Sequence, residues 1–221
     1  MTVTARRPGS DRTPSRRLAA AAVVAAAALG LSGLPAGAWA APSIGQPAPA
    51  FSGTDSHGRP VSLADYQGSV VVLEWTNHEC PFVGRQYQHG TMQSLQKQAA
   101  ADGVVWLTIV SSAPGEQGYV TGAEADKLTV QRGADPRAVI LDPSGDIGHA
   151  YAAKTTPHMF VVDATGALVY MGAIDDQPRI AGSDPAEAHN YVKDALGSLA
   201  AGKPVATPVT QAYGCSIKYK S

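Results

Sequence analysis

Charge of either sign is sparse in this sequence. Charged residues make up 16% of the 221 residues, the formal net charge is −1, and no long basic or acidic run occurs. This balance argues against nucleic acid as a partner. Beyond Ala41 no apolar run reaches the roughly 20 residues of a membrane-spanning helix, and no internal repeat is present. We therefore expect a single domain with no membrane span in the mature chain.

Cysteine is scarce as well, because the chain holds only Cys80 and Cys215. In an exported protein two cysteines can be held as a disulfide, either stable or cycling between oxidised and reduced forms. A disulfide requires the two Cα atoms to lie within about 7 Å. The positions of the cysteines in the sequence do not show whether they meet.

The first 40 residues have the pattern of a targeting segment that is removed from the mature protein. A basic stretch precedes an alanine-rich apolar run from Leu18 to Leu31, and Ala38-Trp39-Ala40 forms a small-x-small cleavage site. We expect residues 1–40 to be a signal peptide of the Sec or Tat route, since Ser15-Arg16-Arg17 resembles a twin-arginine core. The mature protein is then periplasmic or secreted. An uncleaved N-terminal anchor is the alternative.

The most informative stretch surrounds Cys80. Val70 to Leu73 is a continuous apolar run, typical of a strand that is buried on both faces of a sheet. Pro81 suits the first position of a helix that runs to Ala101, with a bend at His89-Gly90. Because a helix N-terminus favours a thiolate over a thiol, Cys80 is predicted to be a nucleophile with a lowered pKa. The alternative is that Cys80 is a small buried hydrophobe.

The rest of the chain alternates between apolar runs and helical patterns. Its expected strands are 51–55, 60–63, 104–110, 138–141, 158–163 and 167–174, and a helix is expected at 122–133. A last helix is predicted to begin at Pro185 with Asp184 or Ser183 as its N-cap. Helical crossovers followed by a β-hairpin predict an α/β domain with a mixed sheet. Residues 203–221 form a tail that carries Cys215.

Several short motifs occur in a familiar order. They are Ile44 to Phe51 at the start of the mature chain, Cys80-Pro81 after the central strand, Thr156-Pro157, and Asp163 to Gly166 in the hairpin. In this order and spacing the sequence resembles the thioredoxin-like superfamily, in particular exported redoxins related to alkyl hydroperoxide reductase and thiol-specific antioxidant proteins and to bacterial thiol-disulfide reductases. The resemblance implies a thioredoxin-like fold over residues 41–202. A central mixed sheet would be flanked by helices, with an N-terminal β-hairpin extension and the C-terminal tail, and no cofactor is expected.

The resemblance also implies roles around the cysteine. Pro157 would be a cis proline that faces Cys80, and Thr156 would offer backbone polar groups to an extended substrate; an ordinary trans proline is the alternative. The chain departs from its relatives at three places, one of which is Leu73, where peroxiredoxins have a Pro. Val83 stands where reductases of the Cys-x-x-Cys type have their second cysteine. Asn77 stands where peroxiredoxins have Thr or Ser, although its amide can still bond a peroxide oxygen.

The partner of Cys80 is therefore Cys215 or an external thiol. A Cys80–Cys215 disulfide would be either a catalytic intermediate, with Cys215 as the resolving cysteine, or a static tether. Arg85 is a further candidate, either stabilising the thiolate or simply solvated. A metal site built from His78, Glu79, Cys80 and the distant His158 is disfavoured, because thioredoxin-fold copper chaperones need a second cysteine beside the first.

The expected function is that of an exported thiol oxidoreductase. Cys80 would attack a disulfide or a peroxide, of a protein or a small molecule, and Cys215 would resolve the product for reduction by an external thiol donor. Asn77, Arg85, Thr156 and Pro157 would position the substrate. The alternative is a non-catalytic binding or scaffold domain with a structural Cys80–Cys215 disulfide, because a fold alone does not settle function.

Overall fold

The computed structural model describes residues 41–182 and 184–220, so the predicted signal peptide lies outside the described residues. Nine strands are described, which are β1 (Ser52–Asp55), β2 (Pro60–Ser62), β3 (Val71–Trp75), β4 (Val105–Val110), β5 (Ala138–Leu141), β6 (Thr155–Thr156), β7 (His158–Val162), β8 (Leu168–Gly172) and β9 (Cys215–Ser216). The α-helices are α1 (Pro81–Gln88), α2 (Thr91–Ala101), α3 (Gly122–Arg132), α4 (Asp146–Ala150) and α5 (Tyr191–Ala200), and a 3-10 helix spans Leu63–Tyr66.

Seven of these strands form the central sheet, in the order β2-β1-β5-β4-β3-β7-β8. The β3–β4 and β4–β5 pairs are parallel, whereas β7 runs antiparallel to both β3 and β8. The N-terminal hairpin β1–β2 is antiparallel and extends the sheet beside β5. The predicted mixed α/β sheet with an N-terminal hairpin is confirmed. Among the described residues no helix is both long enough and apolar enough to cross a membrane.

All five residues of β3 are buried, because helices and loops cover both faces of the sheet. Leu73 and Trp75 pack into one apolar core, and Val72 packs into a second core on the opposite face. Two-sided burial explains why the run is continuously apolar instead of alternating. β3 ends at Trp75, directly before the loop that leads to Cys80.

One buried residue of β3 carries a carboxyl group. Glu74 is fully buried and accepts hydrogen bonds from Trp106 Nε1 at 2.9 Å, Thr108 Oγ1 at 3.2 Å and Tyr87 Oη at 3.2 Å. Burial raises the pKa of Glu74, although these donors partly compensate. The carboxyl group thus ties β3 to β4 and α1 inside the second core.

The long helix predicted after Cys80 is divided in two. α1 ends at Gln88 and α2 begins at Thr91, and Gly90 between them has a left-handed φ of 73°. The bend expected at His89-Gly90 is therefore confirmed. Glycine suits this position because it adopts positive φ without a steric penalty.

The start predicted for the last helix is wrong. α5 begins at Tyr191, and the side chain of Asn190 caps it by accepting a hydrogen bond from the backbone N–H of Lys193 at 2.9 Å. Asp184 instead accepts a bond from the N–H of Ala186 within a turn. Asp184 and Asn190 are both suitable N-cap residues. The helix begins after Asn190, because this residue directly precedes the apolar stripe of α5.

The C-terminal tail packs along much of the domain. The backbone N–H of Thr210 donates to the carbonyl of Met171 on β8 at 3.1 Å, and Ile217 is buried in the first core. The Tyr219 ring stacks on His149 with ring centroids 4.1 Å apart. The tail is thus part of the folded domain, because apolar and aromatic side chains hold it at several points.

The buried carboxyl group makes stability depend on pH. Since folding raises the pKa of Glu74, the folded state holds this proton more tightly than the unfolded chain, whose value lies near 4.5. The contribution is complete below that pH and is lost as the pH rises towards the folded pKa. We expect Glu74→Gln to remove this decline, measured as the free energy of unfolding in denaturant across a pH series. An identical pH profile in both proteins would contradict this assignment.

Candidate active site

Cys80 lies at the N-terminus of α1, as predicted. It has extended backbone angles, φ −78° and ψ 121°, and Pro81 is the first helical residue. The loop between β3 and α1 closes through a hydrogen bond from the N–H of Cys80 to the carbonyl of Asn77 at 3.1 Å. Cys80 is only 1% exposed. The thiol is thus presented at a helix N-terminus but shielded from bulk solvent.

The Thr156–Pro157 segment faces this thiol. The Thr156–Pro157 peptide bond is cis, as predicted. The Cys80 thiol donates a hydrogen bond to the carbonyl of Thr156, with 3.0 Å between Sγ and O. Because a carbonyl can only accept, this bond serves the protonated form of Cys80.

Cys215 reaches the same place from the tail. β9 pairs antiparallel with β6, and Cys215 stands opposite Thr156 in the register. Both cysteines are free thiols, and Cys215 packs against the apolar cluster that contains Cys80, close enough for each thiol to shift the pKa of the other. The structure therefore places Cys80 and Cys215, which are far apart in the sequence, close to each other.

The two thiols differ in acidity. Burial opposes ionisation of Cys80, but hydrogen bonds from the Cys215 thiol and the Val83 N–H outweigh it and lower the pKa of Cys80. Burial and the hydrogen bond to Cys80 raise the pKa of Cys215 to about 12. Cys80 is thus the more acidic thiol of the pair.

Asn77 shapes the loop before Cys80. It is 1% exposed, and its Oδ1 accepts a hydrogen bond from the N–H of Glu79 at 2.8 Å. Glu79 in turn accepts a bond from the N–H of Gly118 at 2.7 Å. Gly118 has φ +87°, and a Cβ there would overlap the Asn77 amide. The Asn77 side chain is therefore engaged in holding the loop.

Arg85 is buried, with 4% exposure, so the alternative of a solvated side chain does not hold. Its guanidinium group donates to the carbonyl of Gln177 at 2.8 Å and to the Tyr213 hydroxyl at 3.2 Å, and lies 3.8 Å from the Asp175 carboxylate. The Tyr213 hydroxyl also donates to Asp175. Arg85 thus connects α1 to the tail.

The sequence analysis missed Tyr213 and Asp175. Tyr213 packs edge-on against Phe82 of α1, with ring centroids 5.7 Å apart. No local pattern marked these positions. Gly214 was a usable signal, because glycine beside a cysteine allows close approach of two backbones. Its φ is +133°, and a Cβ there would overlap the carbonyl of Thr156.

The residues considered for a metal site lie in different contacts. The His158 Nδ1 accepts a hydrogen bond from the N–H of Lys154 at 3.3 Å, and burial lowers the pKa of His158 to about 4. The carbonyl of His78 accepts a bond from Arg132, and Glu79 bonds Gly118. Within residues 41–182 and 184–220 no group of three or more His, Cys, Asp or Glu could hold a metal ion.

Comparison with known proteins agrees with the fold. The sequence profile of the AhpC/TSA family matches residues 44–171, which is more than half of the chain. The chain belongs to the AhpC/TSA family. The matched range includes Cys80 and Thr156-Pro157 and ends before Cys215. The chain is thus a thioredoxin-like redoxin, as its motifs implied.

Individual relatives of this AhpC/TSA member are distant. Methylamine utilization protein MauD of Paracoccus denitrificans is 30% identical over 132 residues, which cover 53% of this chain and 63% of MauD. The matched segment therefore spans less than two thirds of that relative.

Two solved structures share the fold over most of the chain. An uncharacterized conserved protein of Geobacillus kaustophilus has a TM-score of 0.71 at 27% identity, covering 80% of this chain and 93% of its own. A hypothetical protein of Sinorhizobium meliloti 1021 has a TM-score of 0.72 at 24% identity. The match covers 81% of this chain and 96% of that protein. The likeness thus includes nearly the full length of both structures.

The acidity of Cys80 in this AhpC/TSA member depends on a donor in the tail. We expect Cys215→Ala to raise the pKa of Cys80, because the variant removes a hydrogen bond to the thiolate while burial remains. Cys215→Ser keeps a donor and is the matched control, with a Cys80 pKa close to that of the wild type. The measurement is a pH titration of thiolate absorbance in the ultraviolet. The same Cys80 titration in the alanine and serine variants would overturn the assignment.

Proposed function

We propose that this protein is a thiol oxidoreductase in which Cys80 is the nucleophile and Cys215 the resolving cysteine. The observation that carries the proposal is the pair itself: a free thiol at a helix N-terminus, bonded to the Thr156 carbonyl, and a second free thiol that the β6–β9 register places opposite Thr156. Low thiol pKa and a nearby resolving thiol are the features of redox-active cysteines.

With a peroxide, the Cys80 thiolate attacks one oxygen of the O–O bond. An S–O bond forms, the O–O bond breaks, and the departing alkoxide takes a proton to leave as alcohol, so Cys80 becomes a sulfenic acid. The Cys215 sulfur then attacks the Cys80 sulfur. An S–S bond forms, the S–O bond breaks, and hydroxide leaves as water with the proton of Cys215. An external dithiol returns two electrons and two protons.

With a disulfide substrate the sequence of attacks is the same. The Cys80 thiolate forms a mixed disulfide and expels one substrate thiolate. Cys215 loses its proton to that departing thiolate, attacks the Cys80 sulfur and releases the second substrate thiolate. The Cys80–Cys215 disulfide is the common product of both reactions.

Four neighbouring residues, Asn77, Arg85, Thr156 and Pro157, support the Cys80–Cys215 pair in this proposal. The carbonyl of Thr156, in the cis peptide bond to Pro157, accepts the bond from the Cys80 thiol, and the Thr156 backbone holds β9 in register. Asn77 and Arg85 are positioning residues, since Asn77 shapes the loop before Cys80 and Arg85 binds the tail through Tyr213. Asn77 and Arg85 therefore act through their contacts within the protein and not by binding the substrate.

The catalytic cycle is tested by oxidation of the reduced protein. Hydrogen peroxide or oxidised glutathione is expected to join Cys80 to Cys215, identified by mass spectrometry, at a reduction potential above about −300 mV. Cys215→Ser should accumulate Cys80 sulfenic acid or a mixed disulfide, whereas Cys80→Ser should react with neither. A bond that resists reduction until the protein unfolds would favour the alternative, a scaffold domain with a structural disulfide.

We further propose that the protein is exported and cleaved after Ala40, on the evidence of the basic and apolar pattern of residues 1–40. Export places the cysteine pair in a compartment where disulfides persist.

Export has a simple expected outcome. Expression of the full chain in a bacterium should yield an extracytoplasmic protein whose N-terminal residue, read by mass spectrometry, is Ala41. The double variant Arg16→Lys, Arg17→Lys would block a twin-arginine route and leave a Sec route intact. Retention of residues 1–40 on a membrane-bound product would support the uncleaved anchor instead.

A further inference from the structure

The edge of β6 is the backbone beside Cys80. Thr156 on this strand accepts the Cys80 thiol bond at 3.0 Å. An extended polypeptide binds to such an edge by adding a strand, which supplies backbone hydrogen bonds. A protein disulfide bound in this way would bring its sulfur atoms to Cys80. The edge of β6 is therefore the surface that a polypeptide substrate needs.

The protein's own tail occupies that edge. β9 pairs with β6 in antiparallel register, with Cys215 opposite Thr156, and the N–H of Ile217 donates to the carbonyl of Lys154 at 3.0 Å. The Cys215 thiol meets Cys80 from this added strand. Cys215 thus stands where the cysteine of a bound polypeptide would stand.

The tail is also anchored on both sides of Cys215. Tyr213 bonds Arg85 and Asp175 and packs on Phe82, and Ile217 is buried. Gly214 approaches the carbonyl of Thr156 so closely that a Cβ would overlap it. A second polypeptide has no space between β9 and β6 while these contacts are in place.

Small oxidants meet a different obstacle. Cys80 is 1% exposed, but Cys215 beside it is partly exposed. A hydroperoxide places only a few atoms beside one sulfur. Movement of side chains around Cys80 is enough to admit it, and no free sheet edge is needed.

We propose that the tail acts as a built-in occupant of the polypeptide edge, so that Cys80 accepts hydroperoxides and small disulfides and excludes protein disulfides. This inference rests on the proposed function and assigns its substrate class. The residues that enforce the exclusion are those that hold the tail, with Tyr213 the polar and aromatic anchor that precedes Cys215.

The test compares oxidation of the reduced protein by hydrogen peroxide, by oxidised glutathione and by insulin as a protein disulfide. The wild type should react with the first two and far more slowly with insulin. Tyr213→Ala should speed the reaction with insulin by at least about tenfold, because it removes a hydrogen bond to a charged group and an aromatic contact. Tyr66→Ala, which removes the same side chain from the 3-10 helix, is the control and should leave the preference unchanged.

A second variant and a second readout guard against misfolding. Tyr213→Phe keeps the ring and should shift the preference towards insulin by a smaller factor, and hydrogen exchange should speed up at residues 213–217 in both variants. Equal wild-type rates with insulin and glutathione disulfide, or faster exchange without a gain on insulin, would overturn the inference and leave the proposed function intact. Failure of all three oxidants to form the Cys80–Cys215 bond would overturn the proposed function itself.

Discussion

Two strands of two residues each, β6 and β9, decide what the cysteines can do, because their pairing sets Cys215 against Cys80. Without it Cys80 would be a lone thiol at a helix N-terminus. With it a second free thiol lies close to Cys80 and lowers its pKa. So short a ladder is not stable alone, and it persists because the side chains on either side of it are anchored: Tyr213 before Cys215, and Ile217 after it.

The parts of the fold that local sequence predicts are those that depend on local physics. The β3 strand follows from a continuous apolar run, and the cap at Cys80 follows from Pro81 at the first helical position. The helix bend at Gly90 follows from the freedom of glycine to adopt positive φ. The resemblance to the thioredoxin-like superfamily adds the central mixed sheet, and the family profile matches residues 44–171 of this domain.

The parts that were missed depend on contacts between distant segments. Glu74 reads as a polar interruption in an apolar strand, and only the donors from α1 and β4 show why a carboxyl group is buried there. Arg85 reads as a surface residue until Asp175 and Tyr213 are placed beside it. Asp175 and Tyr213 are far from Arg85 in the sequence. No helical or strand periodicity therefore predicts that these three side chains meet.

The second cysteine comes from the tail and not from α1, where Val83 is buried, so a Cys80–Cys215 disulfide would close a long loop. In the chain-entropy view a disulfide that closes so long a loop stabilises the folded state by about 5 kcal/mol. By linkage, folding then favours the oxidised form by the same amount. The interactions that lower the pKa of Cys80 act in the opposite sense, because they stabilise the reduced thiolate. The reduction potential of a Cys80–Cys215 disulfide would therefore depend on both the tail and the helix N-terminus.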